Sequence, residues 1–190
     1  MRDIPRDIIE AAANGDVSAF EEIYRNFSSA VYTLALGVTQ DRQDAEEAAQ
    51  DVFIKVFRNL KKFGFRSSLW TWIYRITMNT AMNFYNRRAR QISRFSSYEE
   101  TGEDATPAAE GGPGKDAAKS EAAEHVAAIL KTLNPEQRAC LVLREIEGLD
   151  YRQIADALAI PLNTVRSRLK RAREAAAAYC RKEGLCHGVS

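Results

Sequence analysis

The chain has 190 residues, of which 45% are hydrophobic, and its 27 basic and 26 acidic residues leave a formal net charge of +1. This length and apolar content are enough to bury one or two modest cores, which excludes a chain that is disordered overall. No apolar run reaches the roughly 18 residues of a membrane span, and the N-terminus lacks the apolar core of a signal peptide, so we expect a cytoplasmic protein without direct membrane insertion.

Helical periodicity predicts four helices before residue 95. A short helix over residues 7–13 ends at Asn14-Gly15. Ser18 followed by Glu21 has the pattern of a capping box at the start of a second, amphipathic helix. Asp41 is predicted to cap a third helix, and Ser68 a long fourth helix that runs to about residue 90.

The charges of the chain are segregated along these elements. Residues 40–51 carry five acids and one Arg, whereas residues 61–95 carry eight Lys or Arg, no acid and eight aromatic residues. Cations track a phosphate backbone and exposed aromatic rings stack on unpaired bases, so residues 61–95 are typical of a single-strand nucleic-acid surface. A helix with core aromatics and a solvated basic face is the alternative.

Two stripes are predicted on the fourth helix. A core stripe consists of Leu69, Trp72, Ile73, Ile76, Thr80 and Phe84. A second stripe presents a cation and polar groups to solvent, where they can touch bases; it consists of Arg75, Asn79, Met82 and Asn86.

Residues 96–119 are predicted to form a flexible acidic linker, because they hold few large apolar groups and include Gly-Gly-Pro-Gly at 111–114. A second helical module restarts at residue 120. Asn134-Pro135 and Asp150 with Gln153 are predicted helix starts, and Gly148 is a predicted helix end. A tight connection over residues 159–161 then leads to a last helix over residues 162–182.

The last two helices have the organisation of a helix-turn-helix. Val165, Leu169, Ala172 and Ala176 are predicted to pack inward. The opposite, polar and basic face is the one that meets base edges in the major groove. A basic surface helix in an ordinary bundle is the alternative.

Three segments carry a family resemblance: AEEAAQDVFIKVF at 45–57, LWTWIYRITMN at 69–79 and TVRSRLKRA at 164–172. In this order they resemble the bacterial extracytoplasmic-function (group IV) sigma factors of RNA polymerase. The resemblance implies an all-α fold with sigma domain 2 at residues 1–95, a linker at 96–119, sigma domain 4 at 120–183 and a tail at 184–190. It also implies that the chain directs core RNA polymerase to promoters by reading −35 duplex and melted −10 DNA.

The resemblance further implies partners and residue roles. The partners are promoter DNA, the β′ clamp helices and β flap of core polymerase, and an anti-sigma factor. The clamp-helix candidates are Glu47, Gln50 and Asp51. The −35 candidates are Asn163, Thr164, Arg166, Ser167, Lys170 and Arg171. The −10 candidates are Phe63, Gly64, Phe65, Arg66, Ser67, Ser68, Arg75, Asn79, Met82, Arg87 and Arg88. Asn163 stands where the family commonly has Gly, and position 170 varies in the family, so the promoter sequence does not transfer.

The sequence also bears on two other classes of protein. An enzyme is disfavoured, because the sequence has no phosphate-binding Gly-rich loop, no HExxH motif and only two histidines. No cofactor or metal is expected, since Cys180, Cys186 and His187 lack a fourth ligand. A stand-alone helix-turn-helix regulator explains residues 162–182 but leaves residues 61–95 without a role.

Overall fold

The computed structural model describes the backbone of residues 4–96 and 117–184, and the side chains of residues 4–93 and 124–184. Most of the predicted linker, together with Cys186 and His187 of the predicted tail, lies outside the described residues. Within the described ranges every regular element is helical, which confirms the predicted all-α fold. The helices are α1 Arg6–Ala13, α2 Val17–Thr39, α3 Arg42–Asn59, α4 Leu69–Ser96, α5 Ala117–Lys131, α6 Pro135–Leu141, α7 Tyr151–Leu158 and α8 Leu162–Lys182.

Side-chain caps fix most of the helix starts. Asp41 and Ser68 cap α3 and α4 as predicted, each accepting a hydrogen bond from the backbone N–H three residues on. The predicted capping box of α2 is wrong. Asp16 caps this helix instead, and Ser18 and Glu21 lie inside it. Aspartate and serine are both favourable N-cap residues. The sequence alone therefore did not show whether Asp16 or Ser18 caps α2.

In the second module both predicted helix starts are confirmed, and each carries a capping box. Asn134 caps α6 with Gln137, and Asp150 caps α7 with Gln153. The last turn after α6, Val142–Ile146, is π-helical. Gly148 then takes the left-handed conformation at a φ of 70°, as expected of a helix-ending glycine.

The first module packs α1 to α4 around one core. Ile23, Leu34, Val52, Val56 and Ile73 are fully buried there. The core of the second module is built from Leu143, Ile154, Val165 and Leu169. The predicted inward stripe of α8 is therefore confirmed at Val165 and Leu169, and also at Ala172.

The buried surface of α4 differs from the predicted stripe. Trp72 and Ile76 are only half-buried, whereas Tyr74 and Met78, outside the predicted stripe, are buried. The helix also continues to Ser96, beyond its predicted end. Tyr74 and Met78 thus mark a second buried side of α4. This side is buried because α7 packs along α4.

The two modules are in direct contact, which the sequence did not predict. Besides α7 on α4, α6 packs on α2 near Gly37. A Cβ atom on Gly37 would lie 2.7 Å from Cγ2 of Val142, so the close approach depends on glycine. The buried apolar residues of both modules consequently form one continuous cluster.

Candidate promoter and polymerase surfaces

The connection between α3 and α4 presents aromatic rings at the surface. Phe63 is buried and packs on Trp72 with ring centroids 5.3 Å apart. Phe65 packs on Phe63 at 4.9 Å but keeps 37% of its surface exposed. Phe65 also has a φ of 53°, an uncommon conformation for a bulky residue. The loop thus holds one partly exposed aromatic ring, Phe65, packed beside the buried Phe63.

A cavity of about 160 Å³ opens beside this loop. Its lining combines Phe65, Ser67 and Ser68 of the loop with Ile4 and Arg6 of the N-terminal segment. The Arg6 guanidinium lies 4.4 Å from the centroid of the Phe65 ring, within range of a cation–π interaction. Sequence reasoning missed Arg6, because no local pattern links it to a ring so distant along the chain.

The outer face of α4 carries the predicted second stripe. Arg75 and Asn79 are exposed, and Met82 is half-buried against the core. Arg75 turns toward the second module, where its Nη2 donates a hydrogen bond to the carbonyl oxygen of Asp156 at 2.8 Å. Arg75 is thus engaged within the molecule, whereas Asn79 and Asn86 of the same stripe are exposed polar groups.

The arginines near the end of α4 meet the acids at the start of α3. Arg88 Nη1 lies 2.7 Å from Oδ2 of Asp41 and 3.1 Å from Oδ2 of Asp44. Arg87 Nη2 lies 3.7 Å from Oε2 of Glu47. The hydrogen bond to Asp44 is the main reason that the pKa of Arg88 is raised above its ordinary value. The −10 candidates Arg87 and Arg88 thus share a charge network with the polymerase candidate Glu47.

The outer face of α3 mixes polar and apolar groups. Glu47 and Gln50 are exposed and Asp51 is half-buried. Ile54 and Phe57, about half exposed, continue the same stripe at helical spacing. The sequence analysis did not include these two side chains in the surface, although their helical spacing from Gln50 indicates that they lie on the same face of α3. Apolar groups flanked by polar ones are typical of a protein-binding surface.

The helix-turn-helix is formed by α7, a turn and α8. Ala159 takes the left-handed conformation at a φ of 53°, and Ile160 N–H bonds back to the carbonyl oxygen of Ala155 at 3.0 Å. Because Val165 and Leu169 are buried, the opposite face of α8 turns outward. That face exposes Asn163, Arg166, Ser167, Lys170 and Arg171, while Thr164 is half-buried.

Within this face Arg166 Nη1 donates to Oδ1 of Asn163 at 3.0 Å, which holds both groups at the N-terminal end of α8. Arg173 differs from the residues of this outward face, because it binds other side chains of the second module. Its guanidinium donates to Glu145 at 2.9 Å and to the Tyr151 hydroxyl at 3.1 Å, so it ties α8 to the rest of the second module.

Comparison with known proteins places both modules in one family. Residues 23–91 match the model for sigma-70 region 2, and residues 124–175 match that for sigma-70 region 4. The RNA polymerase sigma-H factor of Pseudomonas aeruginosa is 35% identical over 178 residues, covering 90% of each chain. The ECF RNA polymerase sigma-E factor of Escherichia coli K12 is 31% identical over 175 residues, covering 88% of this chain and 90% of the relative.

The chain belongs to the ECF sigma factors. This sigma factor directs core RNA polymerase to promoters. The match to region 2 also disfavours a stand-alone helix-turn-helix regulator, since that alternative has no use for the first module.

Solved structures agree with this fold. CnrH in complex with the cytosolic domain of CnrY superposes with a TM-score of 0.68 at 24% identity, covering 93% of this sigma factor and 97% of that chain. The sigma factor RpoE in complex with the anti-sigma factor NepR, from Bartonella quintana, superposes with a TM-score of 0.67 at 21% identity, covering 87% and 98%. None of the helices within the described ranges meets the length and hydropathy of a bilayer-spanning segment.

Proposed function

We propose that this sigma factor divides promoter reading between two surfaces, with residues 1–95 on the melted −10 strand and residues 120–183 on the −35 duplex. The observation that carries this division is the pairing of an exposed aromatic loop on one module with an exposed polar helix face on the other. The chain has no catalytic role in this scheme, because polymerisation belongs to the core enzyme. Its site of action is the cytoplasm, where sigma factors meet DNA.

The −10 strand is bound by the loop at residues 63–68 and by the outer face of α4. An unpaired base stacks on Phe65, and Asn79 hydrogen-bonds a base edge. Stacking is worth about 1–3 kcal/mol per base. That gain is comparable to the few kcal/mol needed to unpair a base. Arg75, Arg87 and Arg88 are placed near the phosphates by the same scheme.

The −35 duplex is read by α8. An α-helix fits the major groove, and its N-terminal residues then contact base edges. Arg166, Lys170 and Arg171 supply donors for guanine or phosphate, while Asn163 and Ser167 supply smaller polar groups. Thr164, half-buried at the start of the helix, supports this end of α8.

Core polymerase is bound through the outer face of α3 and through the second module. Glu47, Gln50 and Asp51 contact the β′ clamp helices, and Ile54 and Phe57 add apolar area to this contact. The β flap contacts the second module. An anti-sigma factor is a further partner, because similar folds include the complex of RpoE with its anti-sigma factor NepR.

The decisive experiment is reconstitution of the chain with core polymerase on promoter templates, with transcript formation as the readout. Binding of a single-stranded −10 oligonucleotide then tests the residue roles. Asn79→Ala is expected to weaken that binding by about 1 kcal/mol, the typical net worth of a hydrogen bond. Asn26→Ala is the matched control, since Asn26 is a helical asparagine of α2, outside the proposed site, whose side-chain amide donates to the Glu22 carbonyl oxygen. Equal oligonucleotide affinities of the two variants would remove Asn79 from the site.

A further inference from the structure

The first helix places a cation on the aromatic loop. Arg6 is the first residue of α1, and its guanidinium lies 4.4 Å from the centroid of the Phe65 ring. The loop and α1 also enclose two cavities of about 160 and 290 Å³, and Phe63, Phe65 and Ile9 line both of them. The surface of the aromatic loop therefore continues onto α1.

The Arg6 guanidinium is positioned by two contacts and keeps free donors. Its Nε donates a 2.7 Å hydrogen bond to Oε1 of Glu10, one turn further along α1. Its other contact is the Phe65 ring. Among the residues that the structure describes, no further group accepts a hydrogen bond from Arg6, and this side chain is 72% exposed. The two terminal NH₂ groups are therefore accessible, and such a pair of donors matches two oxygens of a phosphate.

The position of Arg6 contributes little to the stability of α1. A cation in the first turn meets the positive end of the helix dipole, which is unfavourable. The ion pair joins side chains that are 72% and 51% exposed, and exposed pairs contribute little to stability. The order with the base before the acid is also the weaker one on a helix. The benefit of Arg6 is therefore expected at its other contact, the Phe65 ring.

The arginines that the proposed function places near phosphates on α4 are all engaged within the molecule. Arg75 donates to a carbonyl oxygen of the second module, and Arg87 and Arg88 pair with acids of α3. Arg6 instead contacts the ring that is proposed to stack on a base, and this ring keeps 37% of its surface exposed beside it. Base and phosphate belong to one nucleotide, so a base at Phe65 brings a phosphate toward the Arg6 donors.

We propose that Arg6 is a further contact of the −10 strand, and that it binds a phosphate of the nucleotide that reaches Phe65. Phe65 and Glu10 position the guanidinium for this contact. The inference rests on the proposed function for the binding of a single strand at the aromatic loop. It adds α1 to a surface that the sequence analysis confined to residues 63–88.

The test measures binding of the full-length chain to a fluorescein-labelled, single-stranded −10 oligonucleotide by anisotropy at several salt concentrations. One phosphate contact on a single strand adds about 0.7 to the salt slope, which is about fivefold in affinity between 1 M and 0.1 M salt. Glu10 neutralises part of the charge. We therefore expect Arg6→Gln to lose about two- to fivefold in affinity at 0.1 M salt, with a smaller salt slope.

Arg25→Gln is the matched control for this measurement. Arg25 is a helical arginine that pairs with Glu21 four residues away, and its side chain is 75% exposed. We expect this control to bind the oligonucleotide as the wild-type chain does. Equal affinities and salt slopes of the Arg6→Gln and Arg25→Gln variants would overturn the inference. A phosphate contact also predicts the same loss for a scrambled −10 sequence, and a loss confined to one sequence would overturn the assignment to phosphate.

Glu10→Gln separates a strand contact from a purely structural ion pair. This change removes a negative charge beside the strand and leaves Arg6 without its carboxylate, so we expect oligonucleotide affinity to rise about two- to threefold. An ion pair that served only to stabilise α1 would instead give a loss in both the Arg6→Gln and Glu10→Gln variants. Equal losses would therefore overturn the inference. Circular dichroism is expected to show unchanged helix content in both variants.

Neutral methylphosphonate linkages identify the phosphate itself. They replace the phosphates of the oligonucleotide one at a time. We expect one position at which the substitution weakens binding of the wild-type chain but not of Arg6→Gln, because the contact is already absent from the variant. If the variant loses as much affinity as the wild-type chain at every position, Arg6 does not bind a phosphate.

The same measurements distinguish failure of the inference from failure of the proposed function. If the wild-type chain binds the oligonucleotide and Asn79→Ala weakens that binding while Arg6→Gln does not, the proposed function stands and the inference is wrong. If the wild-type chain does not bind the oligonucleotide, the proposed role of the aromatic loop is contradicted, and the role of Arg6 is contradicted with it.

Discussion

Loss of Arg88 is expected to destabilise the first module, because this side chain joins α3 to α4. Its guanidinium hydrogen-bonds Asp44 and pairs with Asp41, the residue that caps α3. The Arg88 side chain is 36% exposed, whereas that of Asp44 is only 13% exposed. Arg88→Ala would leave Asp41 without its cation and Asp44 with only the guanidinium of Arg87, 4.0 Å away.

The expected loss can be bracketed from these exposures. A hydrogen bond to a charged group contributes about 1.5–3 kcal/mol when protected, while an exposed ion pair contributes about 0.2–1 kcal/mol. Since water screens about a third of Arg88, we expect about 1–2 kcal/mol for Arg88→Ala. The positive N-terminal end of α3 limits the loss by stabilising the remaining carboxylates. In a chain of this length that loss lowers Tm by about 2–8 °C.

Thermal unfolding followed by circular dichroism measures this loss. Arg25→Ala is the matched control, because Arg25 is also a helical arginine but pairs with Glu21 on an exposed surface, at 75% side-chain exposure. That control should cost about 0.3–0.5 kcal/mol. Arg88→Lys should fall between the two, since lysine keeps the charge but not the fork of donors. If Arg88→Ala lowers Tm no more than Arg25→Ala, the network does not join the helices as described.

Three further outcomes are expected. Arg171→Ala should weaken −35 binding by about 1–3 kcal/mol if the side chain contacts a base. In a competition assay that loss should be confined to some −35 sequences, whereas an equal loss for all sequences would show that Arg171 contacts phosphate. Asn134→Ala should destabilise the second module by about 1 kcal/mol in denaturant unfolding, because it removes the cap of α6, and no loss would contradict the capping box. Burial raises the pKa of the Cys140 thiol to about 11, from an ordinary value of 9.0. The unfolded chain therefore loses this proton first, so stability should fall between about pH 9 and pH 11, and less so in Cys140→Ala; identical pH profiles would refute this linkage.

Local signals predicted most helix starts and the helix-turn-helix. Asn134 and Asp150 were readable because capping depends on residues within one turn, and the buried stripe of α8 was readable because helical spacing is fixed. Asp16 and Ser18 were equally good caps, so the local pattern did not choose between them. Helical phasing also predicted the outward orientation of Asn79, which is exposed.

Features that depend on distant residues were not predicted. Tyr74 and Met78 were not predicted to be buried. Helical spacing identifies one apolar side of α4, but this helix buries one side against the first module and another side against the second module. The contact of Arg6 with Phe65, and the pairing of Arg88 with Asp41, likewise join side chains from segments far apart in the sequence. No periodicity or cap reports such pairings, because they arise only when the helices pack.

The charge network between α3 and α4 bears on how strand binding responds to salt. A cation that meets a phosphate in free solution releases condensed counterions, which gives a slope of about −0.7 in log K against log salt for each contact with a single strand. Arg87 and Arg88 are already neutralised in part by Asp41, Asp44 and Glu47. A phosphate bound by these arginines would also meet the repulsion of the carboxylates it displaces. If Arg87 and Arg88 do contact the strand, their net attraction for it, and with it the salt dependence of that attraction, should be smaller than for two unpaired arginines.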